Sequence, residues 1–132
     1  MRERPAWITG IEHRIETPVL GARDLTVSTS TAASAATATG GDAGSIDVAE
    51  LHAPFSHQQL ILREAIGLGA KTVVNPSGGA LAANPMFVAG LERIGFAARH
   101  IFDGSAGRVL AHATSGAALQ QNLVAVMEGK DN

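Results

Sequence analysis

The sequence predicts one α/β domain, a mixed sheet covered by helices in the order β-α-β-α-β-α-β-β. Three observations lead there. Short β-branched stretches alternate with longer segments of helical period, the pattern of strands joined by covering helices. Glycine pairs and Asn-Pro steps punctuate most of the boundaries. The 132 residues, 45% of them hydrophobic, suit a single domain spanning residues 1–132 with a substantial core.

The elements follow in order. "PAWITGIEHRIE" is rich in β-branched residues, with Trp7, Thr9, Ile11 and Ile15 on one parity, as in a strand that Pro18 and Gly21 then end. "DLTVSTSTAASAATATGGDAG" reads either as a linker or as a small-residue helix packed tightly on a sheet. Its alanines and the stop at Gly40-Gly41 favour the helix. "SIDVAEL" is a short strand. "SHQQLILREAIGLG" is a helix with Ser56 and Gln59 spaced as a capping box. Ile61, Leu62, Ala65 and Ile66 form its apolar stripe, and Gly67 and Gly69 end it. "KTVVN" is a strand. "PMFVAGLERIGFAARHIF" is a helix with Phe87, Leu91, Ile94, Ala98 and Ile101 on one side, opened by Asn84-Pro85 as N-cap and first residue. "RVLAHAT" and "LQQNLVAVM" are the last two strands.

Composition removes whole classes of function. The net charge is −2 and no block of basic residues exists, which argues against a nucleic-acid partner. There is no cysteine, so this chain supplies no disulfide, no thiolate metal site and no cysteine nucleophile. No apolar stretch is long enough for a membrane span. The opening "MRERPAWITG" lacks the apolar run of a signal peptide, so the expected location is cytoplasmic. Charged residues make up only 17% of the chain, which predicts much covered surface, either core or an interface.

Standard catalytic patterns are absent. The sequence has no phosphate loop, no dinucleotide fingerprint and no nucleophile elbow. Glu50, His52 and His57 match no metal-ligand spacing, and no metal is expected. Polar groups do gather where strands end, which is where α/β sheets bind ligands. His52 follows "SIDVAEL". The loop "NPSGGALAANP" follows "KTVVN" and carries Ser77, Gly78, Gly79 and Asn84. His112, Thr114 and Ser115 close "RVLAHATS". Each has a structural alternative: His52 and His112 as packing histidines, Asn84 as a helix cap, and the glycines as points of close backbone approach.

Three segments, "ELHAPFSHQQLILREAIGLG", "VNPSGGALAANP" and "VLAHATSGAALQQNLV", together resemble the C-terminal half of thiolases. The likeness is greatest to the sterol-carrier-protein type, a branch that includes lipid-transfer proteins. The motifs spread over residues 50 to 126, and the element order resembles one half of the duplicated thiolase fold.

The resemblance implies that His52 helps polarise a thioester carbonyl. Asn84 stands where thiolases usually carry a catalytic histidine, in an "NP" form found in a thiolase-like branch. It implies that Ser77, Gly78, Gly79, His112 and Ser115 contribute to substrate binding, and that the substrate is a coenzyme A thioester, with no covalently bound cofactor. The sequence departs from the family at Thr114-Ser115-Gly116, where a cysteine acid/base is common, and at Pro54, where the sterol-carrier type carries a cysteine. The resemblance further implies that the nucleophilic cysteine, which thiolases carry in their N-terminal half, comes from a partner chain.

Two functions follow. One is a subunit of a split thiolase-like enzyme, with a thiolase N-terminal-half or full-length thiolase-like chain as partner. A zinc-ribbon/OB-fold acyl-CoA-binding protein is a further candidate partner. The other is a non-catalytic subunit that stabilises a thiolase complex or binds acyl-CoA.

Overall fold

The computed structural model describes residues 4–130. Residues 1–3, the start of the segment read for a leader, and residues 131–132, the end of the expected domain, lie outside the described residues. The chain runs β1 (Ala6–Ile15), α1 (Thr29–Thr39), β2 (Val48–Leu51), α2 (Ser56–Ile66), β3 (Val73–Val74), α3 (Gly79–Ala82), α4 (Ala89–Phe102), β4 (Arg108–Ser115) and β5 (Gln121–Gly129). Single turns of 3-10 helix precede α1 and β2.

The strands form one five-stranded sheet in the order β1-β5-β4-β2-β3. β2 is parallel to both β3 and β4, and β5 is antiparallel to both β4 and β1. The sheet is therefore mixed, in an α/β architecture. One face buries Leu51, Leu110, Val124 and Val126 against Ala35 and Ala38 of α1 and Leu62 and Ile66 of α2. The other buries Val48, Val109, Ala111 and Met127 against Ala97, Ala98 and Ile101 of α4. β2 is fully buried and β1 largely exposed because β2 lies inside the sheet and β1 at its edge.

The Ser/Thr/Ala-rich segment is the expected helix, and its small residues explain its position. Ser34, Ala35 and Ala38 face inward, so α1 lies almost on the backbone of β1. A Cβ added to Gly10 would come within 2.0 Å of the Ala38 carbonyl oxygen. Gly10→Ala is expected to cost about 1–3 kcal/mol, the scale of overpacking. A thermal melt reads it, and an unchanged midpoint would refute the close helix–strand contact.

Three local expectations need correction. In β1 a bulge between Ile8 and Gly10 reverses the parity, so Trp7 lies on the α1 side while Ile11 and Ile15 lie on the α4 side. In α2 the capping residue is Phe55, one position earlier than Ser56. The Gln58 side-chain oxygen accepts the Phe55 N–H at 3.3 Å, while Gln59 instead accepts from Asn75 Nδ2 at 2.8 Å.

The third correction is the largest. Asn84-Pro85 does not open the long helix. Phe87 adopts φ 68°, a left-handed conformation that interrupts helical winding, and α4 starts at Ala89. Phe87 is 99% exposed and Leu91 70%. The inward stripe is Ala89, Arg93, Ala97, Ala98 and Ile101, with Ile94 packed beside it, so the expected side holds at Ile94, Ala98 and Ile101 and fails at Phe87 and Leu91.

α4 packs chiefly over β4 and β2. The α4-side face of β1 stays open, with Ile8, Ile11 and Ile15 each more than half exposed. Among the described residues, no helix is long and apolar enough to cross a membrane.

Candidate functional site

The C-terminal ends of β2 and β4 point the same way because these strands are parallel neighbours. β2 delivers His52, whose backbone N–H continues the ladder to the His112 carbonyl at 3.1 Å. β4 delivers Thr114 and Ser115. The segment between α3 and α4 brings Asn84 over the same end.

The His52 ring is nearly buried and held at both nitrogens. Nε2 lies 3.0 Å from Asn84 Oδ1. Nδ1 lies 3.3 Å from the Thr114 N–H nitrogen and 3.1 Å from its carbonyl. A side-chain amide oxygen only accepts, so Nε2 carries the hydrogen in this arrangement. Nδ1 then faces both the N–H and the carbonyl of Thr114. Asn84 is exposed, and its amide hydrogens remain available as donors. Asn84 thus pairs with His52 and does not cap a helix.

These groups open into a cleft of about 330 Å³. Phe55, Met86, Phe87 and Leu119 give it apolar walls. His52, Asn84, Thr114 and Ser115 supply its polar groups. A few convergent polar groups in an apolar recess are the usual makeup of a small-ligand site.

The far wall is residues 116–119, where Gly116, Ala118 and Leu119 all have positive φ. A clamp holds this strained turn. The Arg23 guanidinium donates to the Ala117 carbonyl at 2.9 Å, to the Ala118 carbonyl at 3.1 Å and to Glu16 Oε2 at 3.4 Å. Glu16 Oε1 accepts from the Ser30 N–H at 2.8 Å and its hydroxyl at 2.6 Å. Burial would raise the Glu16 carboxyl, but hydrogen bonds from Ser30 and Arg23 outweigh it and hold the group below its ordinary value.

The same network runs inward to His112. Asn122 Nδ2 donates to Ser30 Oγ at 2.8 Å, and His112 Nε2 donates to Asn122 Oδ1 at 2.9 Å. His112 is fully buried, and its Nδ1 has no hydrogen-bond partner. Burial pushes its pKa down from 6.5 to about 4, against the opposing pull of the Asn122 bond. The unfolded chain therefore takes up this proton first. Stability from His112 is complete above pH 6.5 and is lost as pH falls toward 4. Between pH 7 and 4.5, His112→Gln should lose about 2 kcal/mol less stability than the parent chain in urea unfolding. Identical pH slopes would refute the buried neutral imidazole.

Ser77, Gly78 and Gly79 do not reach the His52–Asn84 cleft, and neither does His112. Ser77 donates through its hydroxyl to Glu50 Oε2 at 2.7 Å and through its N–H to Glu50 Oε1 at 3.1 Å. Glu50 is fully buried, and Arg93 Nη1 approaches it at 3.4 Å and Ser77 Oγ at 3.2 Å. Ser77 borders a separate cleft of about 260 Å³ with Glu50, Arg99, His100 and Asp103. Gly78 and Gly79 have φ 90° and 62°, and a Cβ on Gly79 would meet Asn75 Nδ2 at 2.8 Å. In this structure the paired glycines serve a backbone turn closed over Asn75, whose Oδ1 accepts the Leu51 N–H at 2.6 Å.

Glu50, Arg93, Arg23 and Asn122 are absent from the sequence-based candidates. A signal existed for the first: a carboxylate inside the apolar run "VAEL". Among the described residues no group of three or more His, Asp or Glu side chains could hold a metal ion. Neither the protein-family models nor the curated protein sequences compared with this chain match it.

Proposed function

We propose that the chain is a subunit of a split or heteromeric thiolase-like enzyme acting on acyl-CoA thioesters in the cytoplasm. One observation carries this reading: the His52–Asn84 pair at the mouth of an apolar cleft. The element order and mixed sheet agree with a thiolase-type half. The open α4-side face of β1, with Ile8, Ile11 and Ile15 each more than half exposed, agrees with a partner chain that covers it.

In this mechanism a thioester carbonyl oxygen lies against the Asn84 amide. Nucleophilic attack at the carbonyl carbon, or enolate formation next to it, puts negative charge on that oxygen. A fixed amide N–H stabilises that charge. His52 acts through Asn84: its Nε2–H holds the amide oxygen and leaves the nitrogen facing the cleft. The side-chain amide does not titrate near neutral pH, so Asn84 donates a hydrogen bond without serving as a base. The partner supplies the cysteine. Claisen and retro-Claisen acyl transfer, or a related C–C cleavage, all share this carbonyl requirement. A zinc-ribbon/OB-fold protein is the proposed further partner for delivering acyl-CoA.

A second reading has its own observation. Both His52 ring nitrogens are satisfied within the chain, as they would be in a stabilising, non-catalytic or acyl-CoA-binding subunit. His52→Ala separates the two. The test is made on the complex captured by co-purification, in which the partner should hold a reactive cysteine. Turnover of a thioester should fall about a hundredfold, the lower range for an oxyanion-site group. Unchanged turnover with a sharp drop in melting temperature would leave His52 as packing.

A further inference from the structure

The sheet ends at β1, whose outer edge has no neighbouring strand among the described residues. The Glu16 N–H donates inward to the Gln120 carbonyl. Backbone groups alternate along a strand, so Arg14 and Glu12 also bond inward, while Ile11, His13 and Ile15 present N–H and C=O outward. The bulge between Ile8 and Gly10 limits the regular stretch to the residues that follow it.

We propose that β1 pairs antiparallel with β1 of a second copy of this chain, about a twofold axis through His13. The segment Ile11-Glu12-His13-Arg14-Ile15 is what argues for a second copy over another partner. Read backwards it is apolar, basic, histidine, acidic, apolar, so it complements itself. Pairing on this axis puts Glu12 opposite the second copy's Arg14, twice over, and Ile11 opposite its Ile15. A closed twofold contact requires this self-complementarity.

The backbone agrees with the side chains. His13 and the two isoleucines offer outward groups and fall at hydrogen-bonded positions of the new ladder. Glu12 and Arg14 fall at the other positions, where facing side chains come closest. Ile11 is 55% and Ile15 60% exposed, so both have apolar surface to cover. Glu12 and Arg14 already pair within one chain, with Arg14 half exposed. In the dimer each gains a second opposite charge. The two five-stranded sheets become one continuous sheet.

The experiment is sedimentation equilibrium of the whole chain and two variants. His13→Pro removes an outward N–H without removing a bond to β5, so the sheet should persist while dimer affinity falls at least about tenfold. Glu12→Lys sets like charges across the axis twice and should also weaken the dimer by about tenfold. The exchange Glu12→Lys with Arg14→Glu restores opposite charges and should return affinity to within about threefold of the parent. The exchange keeps the test decisive if the proline variant does not fold. A parent chain monomeric at about millimolar concentration would overturn the proposal. So would association that ignores Glu12→Lys, which would move the contact to the open α4-side face.

Discussion

Arg93→Ala should lower the melting temperature by about 10–20 °C, the largest stability loss expected of any single change in this fold. Arg93 sits at an inward position of α4, its side chain 1% exposed, against a Glu50 that is not exposed at all. Its guanidinium also meets Glu92 and stacks 5.2 Å from the centre of the Phe96 ring. Removing it strands a carboxylate in the core with only Ser77 as donor. Such an uncompensated charge costs about 3–5 kcal/mol. The arrangement was costly to build as well, since Arg93 Nε is buried without a partner. A neutral replacement of both groups should therefore be milder than the single change. Arg93→Met combined with Glu50→Gln should recover at least about half of the loss. Equal losses in Arg93→Met alone and in the double variant would mean that a stranded Glu50 charge is not what makes the loss of Arg93 costly.

Asn84→Asp should lower thioester turnover in the assembled complex at least a hundredfold, about 3 kcal/mol, and leave the fold intact. The two side chains have nearly the same shape. An aspartate oxygen still accepts the His52 Nε2–H that Asn84 Oδ1 takes at 3.0 Å. The other position changes from a donor to a negative charge, beside the oxygen where negative charge develops. Asn84 is exposed and caps no helix, so stability should stay within about 0.5 kcal/mol, the usual range for a surface change. The measurements are a melt and a thioester-cleavage rate. Wild-type turnover in this variant would remove Asn84 from the chemistry and favour the non-catalytic subunit.

The order of strands and helices was readable because it rests on whole segments: apolar runs for the buried strands, helical period for α2 and α4. The strand order in the sheet was not. Errors occurred where one local signal outweighed the rest. Asn-Pro is a good helix start by composition, but the positive φ of Phe87 stands between it and α4. That shifted the expected apolar side onto Phe87 and Leu91, which are exposed, and hid Arg93 as an inward residue. The β1 bulge escaped notice because both faces of this edge strand carry exposed apolar residues, Trp7 on one and Ile8, Ile11 and Ile15 on the other, so hydrophobicity does not mark the change of parity. At the site, His52 and Asn84 were legible as polar residues at strand ends. Their hydrogen bond was not, since it joins residues 32 apart. Ser77, Gly78 and Gly79 were read for a ligand; within the chain their partners are Glu50, Arg93 and Asn75, and Ser77 also borders the second cleft. A buried ion pair asks for polar neighbours as strongly as a substrate does.

β5 is the last strand in the sequence and lies between β1, the first, and β4. Ala6 pairs with Gly129, and Ile15 with Gln121, so the first and last strands are stitched together along one side of the sheet. A ribosome making roughly ten residues per second would release β1 some ten seconds before its only neighbour exists. During that interval β2, β3 and β4 can assemble with α4, because their pairings span shorter loops. β1 and the inner surface of α1 must wait. The contact order is high, and the insertion of a central strand is the late event, so refolding should be slow for a domain of this size. Meanwhile the free edge of β4 is open to β1 itself, the nearest wrong strand. Escape from that pairing, more than collapse, would then limit the yield of folded chain.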